Sequence, residues 1–197
     1  MTNADRLTQI SNELLHLTQS PLYQFRKEHN YIPVIGEGNC EANIMFVGEA
    51  PGENEAKSGR PFCGRSGKFL DELLASIQMD RSKVYITNLV KDRPPENRDP
   101  STSEIALYGP FLKQQIEILK PKAIVTLGRH SMKYIFENYG IAADLNVISK
   151  IHGKEFKAKT LYGEVIVIAL YHPAVALYNG GMRAELLNDF KIVKKYT

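Results

Sequence analysis

Three loops of this 197-residue chain carry the side chains best suited to act on a small ligand. The first, from Gly48 to Gly67, reads GEAPGENEAKSGRPFCGRSG, with five glycines, two prolines and three glutamates. Such a loop lets backbone approach a ligand closely while presenting carboxylates. The second, NLVKDRPPENRDP from Asn88 to Pro100, opens on an amide and is stiffened by Pro94 and Pro95. The third, HPAVALYNGGMR, begins with the imidazole of His172. Carboxylate, amide and imidazole together can orient water, read a hydrogen-bonding edge and donate a proton or a hydrogen bond. Taken singly, each has a plainer reading: an asparagine closing a strand is a turn residue, His-Pro marks a loop, and a glycine-rich loop is a weak phosphate signal. GRSGK also lacks the GxxxxGK[ST] spacing, which argues against a triphosphate loop. What raises the functional reading is that all three follow strands.

Those strands are short apolar runs rich in β-branched residues: Asn43 to Val47, Val84 to Asn88, Ala123 to Leu127 and Val165 to Leu170. Unbroken runs of this kind read as buried parallel strands. Helical patterns lie between them at Gly67 to Gln78, Ser103 to Leu119 and His130 to Tyr139, with a last helix from about Met182 to Lys195. Ser103, with Asp99 and Ser101 nearby, supplies the cap of the second, and Pro121 stops it. Ile148 to Glu164 reads as a hairpin or irregular excursion. The alternation predicts a single α/β domain over residues 1–197, a three-layer α/β/α sandwich around a four-stranded parallel sheet. In such sheets ligands bind beyond the carboxyl ends of the strands, where the three loops fall.

Composition narrows the class. With 43% hydrophobic and 24% charged residues the chain is of globular type, and its length suits one domain. No run is long and apolar enough to span a membrane, and the amino-terminal MTNADRLTQISNELL reads as an amphipathic helix, not a signal peptide, so a cytoplasmic monomer is expected. Cys40 and Cys63 are too few for a disulfide framework or a four-thiolate metal site. A net charge of +3 points only weakly to a polyanion. Lys91, Arg93 and Arg98 in one loop, and Lys57, Arg60, Arg65 and Lys68 in another, are nevertheless placed for phosphate contacts.

The motifs GEAPG at Gly48 to Gly52, GRPF at Gly59 to Phe62, ITN at Ile86 to Asn88, KxRPPxNR from Lys91 to Arg98 and HPA at His172 to Ala174 resemble, in order, those of family 4 uracil-DNA glycosylases. VIGEGN, Val34 to Asn39, also matches, and the resemblance runs from about Leu17 to Phe190. It implies hydrolysis of the bond between uracil and deoxyribose in DNA, after the nucleotide is flipped into a pocket. By resemblance the base stacks on Phe62 beside Ala50. Asn88 reads its edge, since an amide pairs with O4 and N3–H of uracil and mismatches cytosine. His172 donates to O2 as negative charge grows on the leaving base. Glu49 and Glu55 are the carboxylates for the sugar cation and the water, with Glu55 also crowding the uracil C5 position. Arg65, Lys91, Arg93, Asn97 and Arg98 are expected to grip DNA, and Leu177 or a neighbour to fill the gap left by the flipped base.

One departure stands out. Family 4 enzymes carry CxxCPL, a cysteine in KCRPP and another some residues later, which hold a [4Fe-4S] cluster; here the four positions are Leu17, Ser20, Asp92 and Gly109. Four cysteines are the usual requirement, so no cluster and no other metal or cofactor is expected. Asp92 should then be exposed or paired with a cation, and Leu17 should bury apolar surface. Two alternatives stay open at this stage: a non-catalytic DNA- or uracil-binding module, and a glycosylase of broader base range that includes hypoxanthine.

Overall fold

The structure, a computed structural model, describes residues 1–197. Six strands form one sheet: β1 (Glu37–Gly38), β2 (Ile44–Gly48), β3 (Tyr85–Asn88), β4 (Ala123–Leu127), β5 (Lys154–Thr160) and β6 (Gly163–Leu170), in the order β1-β3-β2-β4-β6-β5. The four central strands β3, β2, β4 and β6 run parallel and are those expected from the apolar runs. Antiparallel strands β1 and β5 extend the sheet at its two edges. The segment 148–164, read as a hairpin or excursion, folds as a short helix, strand β5 and the turn into β6.

The helices are α1 (Asn3–Leu15), α2 (Tyr23–Glu28), α3 (Glu53–Ser58), α4 (Arg65–Ser76), α5 (Thr102–Leu119), α6 (Arg129–Asn138), α7 (Ile148–Ile151), α8 (Val175–Tyr178) and α9 (Gly181–Phe190). Alternation along the strands divides the core. Met45 and Val47 of β2 join Leu7, Ile10 and Leu14 of α1, Leu112 and Ile116 of α5, and Ile135 and Phe136 of α6 on one face. Ile44 and Phe46 meet Phe69, Leu70 and Leu73 of α4, and Leu186 and Phe190 of α9, on the other. The result is a three-layer sandwich with both sheet faces covered, which is why the central strands carry unbroken apolar runs.

The cap of α5 differs in detail from expectation. Ser101, not Ser103, is the capping residue: its hydroxyl accepts the Glu104 N–H and the Glu104 carboxylate accepts the Ser101 N–H. That same carboxylate takes both Nη atoms of Arg98, at 2.9 and 2.6 Å, so the cap also anchors the loop after β3. No helix is long and apolar enough to cross a membrane.

Candidate active site

Because the four central strands are parallel and in register, with Gly48 beside Asn88 and Leu127 beside Leu170, their carboxyl ends share one edge. The loops that follow enclose a cavity of about 310 Å³ lined by Glu49, Ala50, Glu55, Phe62, Asn88, Asn97, Arg98 and His172, with Pro51, Gly52, Ser66, Pro94 and Ala174 completing it. That volume lies at the small end for ligand sites and suits one flat ring with its sugar.

Gly48 makes the close packing of this edge possible. A Cβ there would lie 2.2 Å from Asn88 Oδ1 and 2.7 Å from the Phe62 ring, so the amide and the ring close over a residue without a side chain. Asn88 is 2% exposed, and its Nδ2 is buried without a partner. An orphaned buried donor is costly, and because Asn88 lines the cavity a ligand acceptor placed there would satisfy it.

Phe62 is buried with φ of 48°, a left-handed conformation unfavourable for an aromatic residue. Its turn is clamped on every side. Glu55 Oε1 accepts the N–H groups of Cys63 (2.9 Å) and Gly64 (2.7 Å), and Arg81 donates to the carbonyls of Pro61 (2.6 Å) and Phe62 (3.1 Å). Gly67 is also required, since a Cβ there would meet Phe62 O at 1.8 Å. Backbone strain held by surrounding contacts is characteristic of ligand sites. Glu55 is therefore a buried clamp of the stacking ring, with one carboxylate oxygen spent on the backbone. Arg81 was not singled out in the sequence; lying nineteen residues from Phe62, it carries no local signal.

His172 lies against Phe62, with ring centroids 5.6 Å apart at an interplanar angle of 29°. Its Nδ1 is 3.1 Å from the Ala174 N–H and accepts from it, which leaves the proton of the neutral ring on Nε2. Burial, only partly opposed by the Glu55 carboxylate, lowers the His172 pKa to about 4. At neutral pH this is an uncharged Nε2–H donor.

Glu49 follows β2 directly. Burial raises its carboxyl pKa, opposed by His130 and Arg129 and reinforced by Asp99. His130 Nε2 lies 3.7 Å from Glu49 and 3.5 Å from Asp99, while Arg129 pairs with Asp99. Arg129 and His130 open α6 at the end of β4, the fourth strand end, to which no site role was given from the sequence. Glu49, Asp99 and His130 have ligand atoms within 4.8 Å of one another, a grouping that could take a cation; Arg129 already balances the Asp99 charge.

The basic residues separate into three kinds. Arg65 is exposed at the start of α4, and Arg98 and Asn97 line the cavity. Arg93 is held by the Tyr31 hydroxyl (2.6 Å) and Asn97 Oδ1 (2.8 Å) and lies over the Tyr31 ring, so it braces the loop. Lys91 does not fit its expected place at the DNA surface: it is 0% exposed, its Nζ turned into the protein against Thr87, Asn88 and Gln115. Leu177 is half-buried in α8, and its neighbour Tyr178, 86% exposed, is the residue that protrudes.

At the four positions where relatives of this kind place cluster ligands there is no thiolate, and their surroundings are filled. Arg26 Nη1 lies 3.1 and 3.2 Å from the two oxygens of Asp92, the Tyr108 hydroxyl donates to Asp92 Oδ2 at 2.5 Å, and the Ser20 hydroxyl is 2.7 Å from that of Tyr108. Arg26 also donates to the carbonyls of Leu14 and Leu15 at the end of α1. Leu17 is buried, and a Cβ on Gly109 would meet the Tyr134 ring at 2.6 Å. Asp92, 1% exposed, thus has the cationic partner that burial demands. These residues do not fit an iron-sulfur cluster.

A compact pocket with an aromatic ring, an unpaired amide and a neutral imidazole donor has the shape and polarity of a site for a flat heterocycle. Comparison with known proteins gives the family. The model of the uracil DNA glycosylase superfamily matches residues 35–191. The Type-4 uracil-DNA glycosylase of Sulfurisphaera tokodaii is 48% identical over 97% of this chain and 84% of its own length. Those of Archaeoglobus fulgidus (42%, covering 95% of this chain and 91% of that one) and Thermotoga maritima (37%, 99% and 96%) are similar over nearly their whole lengths. The chain belongs to the uracil-DNA glycosylase superfamily, on its type-4 branch.

Proposed function

We propose that this chain excises uracil from DNA by hydrolysis of the N-glycosidic bond, acting on a flipped nucleotide and without an iron-sulfur cluster. The observation that carries the reading is the buried, unpartnered Nδ2 of Asn88 in the cavity shared with Phe62 and His172. That nitrogen donates to O4 of uracil while the amide oxygen accepts N3–H. Cytosine, with an amino group at C4 and an unprotonated N3, offers the wrong pattern and leaves both amide atoms unpaired. Phe62 stacks on the base.

As the glycosidic bond lengthens, negative charge collects on the uracil and positive charge on the sugar. The Nε2–H of His172 donates to O2 of the leaving base, an interaction stronger in the transition state than in the ground state. Glu49 orients the attacking water and faces the sugar cation; Glu55 holds the Phe62 turn. Arg65, Asn97 and Arg98 meet the phosphates, with Arg93 bracing their loop, and Tyr178 beside Leu177 fills the space left by the flipped base.

The Arg26, Asp92, Tyr108 and Ser20 network ties the end of α1 to the loop after β3, the segments a cluster would otherwise join. The same reading has the enzyme act as a monomer in the cytoplasm, where its two free cysteines stay reduced. The test is incubation with a labelled oligonucleotide containing one uracil, followed by alkali. Cleavage at the uracil and none at thymine or cytosine is expected; no cleavage would make the chain a binding module, and equal cleavage at hypoxanthine would broaden its range.

A further inference from the structure

Lys91 is the one fully buried lysine, and the excision chemistry above does not use it. Its Nζ lies 2.5 Å from Gln115 Oε1, 2.6 Å from the Asn88 carbonyl oxygen and 2.8 Å from Thr87 Oγ1. All three act as acceptors toward it. A carbonyl and an amide oxygen can do nothing else, and the Thr87 hydroxyl places its single proton on the Ile35 carbonyl at 2.6 Å. Three acceptors require three N–H donors, which only the ammonium form supplies. Gln115 is in turn fixed by donating Nε2 to Ile35 O (2.8 Å) and to the Tyr85 hydroxyl (3.3 Å).

We propose that Lys91 is a positioning residue: held as an ammonium on the Asn88 carbonyl behind the end of β3, it keeps a positive charge behind the pocket as uracil leaves as an anion. The inference rests on the uracil-excision reading. Burial without a carboxylate partner is costly and lowers the Lys91 pKa, which the three acceptors around Nζ oppose, so a sequence optimised for stability alone would place an apolar residue here. The cation sits on the main-chain carbonyl of Asn88, a residue that lines the cavity, in a region where low dielectric makes a charge act strongly on a nearby developing charge.

Lys91→Met keeps the length and the buried volume and removes the charge. Single-turnover excision is compared for oligonucleotides carrying uracil and 5-fluorouracil, a more acidic leaving base that needs less help to depart. The maximal single-turnover rate on uracil should fall about tenfold or more, with the enzyme concentration for half-maximal rate little changed and a loss of no more than about twofold on 5-fluorouracil. Equal losses on both bases, or an unchanged maximal rate on uracil, would overturn the proposal, because a merely structural role lowers both alike. The wild-type protein in the same assay keeps the two readings apart: if it releases no uracil, the excision reading has failed instead. Should Lys91→Met not fold, nitrogen-15 spectra of lysine-labelled wild-type protein decide. A slowly exchanging Lys91 ammonium at pH about 7 supports the proposal and a neutral amine there refutes it.

Discussion

The imidazole of His172 packs against the ring of Phe62, centroids 5.6 Å apart, while its Nδ1 accepts the Ala174 N–H at 3.1 Å. The two contacts settle the orientation and the tautomer of the ring together, and leave Nε2–H for the pocket. His172→Ala should therefore lower uracil excision about a hundredfold or more, the typical cost of losing one such donor, with little change in folding. Single-turnover rates beside a thermal melt check this, and near-normal excision would remove His172 from the site.

The pH behaviour of His172 carries its own sign. Its folded pKa of about 4 lies below the ordinary 6.5, so between these values the unfolded chain binds a proton that the folded protein does not. This contribution to stability is complete above pH 6.5 and is lost as pH falls toward 4. Denaturant melts across that window should show a slope that is reduced in His172→Ala, and ring NMR shifts of the native protein should show no titration of His172 near neutrality.

Glu49 titrates the other way from its ordinary value. Its raised carboxyl pKa, caused first by burial, means that ionised Glu49 is lost on acidification sooner than a free glutamate would be. His172 stays neutral there, so the acid limb of the single-turnover rate should belong to Glu49. Glu49→Gln should abolish that limb along with most of the activity; an unaltered limb would assign it elsewhere.

Gly48→Ala should damage the site more than the fold. The added Cβ would meet Asn88 Oδ1 and the Phe62 ring, and these can yield only by leaving their places in the pocket. Excision should fall at least as far as in Asn88→Ala, about a hundredfold, with melting near the wild type's. Phe62→Ala should weaken binding of uracil-containing DNA by about 1–3 kcal/mol, read by titration.

Asp92→Ala removes one half of a buried ion pair and leaves Arg26 charged among the carbonyls of α1. Breaking such a pair typically costs about 3–5 kcal/mol, which chemical denaturation would measure directly. A change below about 1 kcal/mol would mean that the network does not hold the two segments together.

Much of this was legible in the sequence because it rests on local pattern. Unbroken apolar runs mark β2, β3, β4 and β6, and parallel register then brings Glu49, Asn88 and His172 to one edge. The hairpin of β5 and β6 was legible only as one of two readings of Ile148 to Glu164, because β5 is an edge strand whose Lys154, Glu155, Lys157 and Lys159 mask any apolar alternation. Lys91 was misread because a lysine in a loop beside two arginines looks exposed. Its burial depends on Gln115, twenty-four residues away in α5, and no local pattern encodes that contact. Arg26 as the partner of Asp92, and Arg81 as the clamp on Phe62, are likewise long-range pairings.

Uracil excision by side chains alone is tested by single-turnover release of uracil from protein purified in air and treated with chelator, with iron measured on the same sample. Full release by colourless, iron-free protein, unchanged by added iron and sulfide, is expected. Stoichiometric iron bound at Leu17, Ser20, Asp92 and Gly109, or release that appears only when iron is restored, would contradict it.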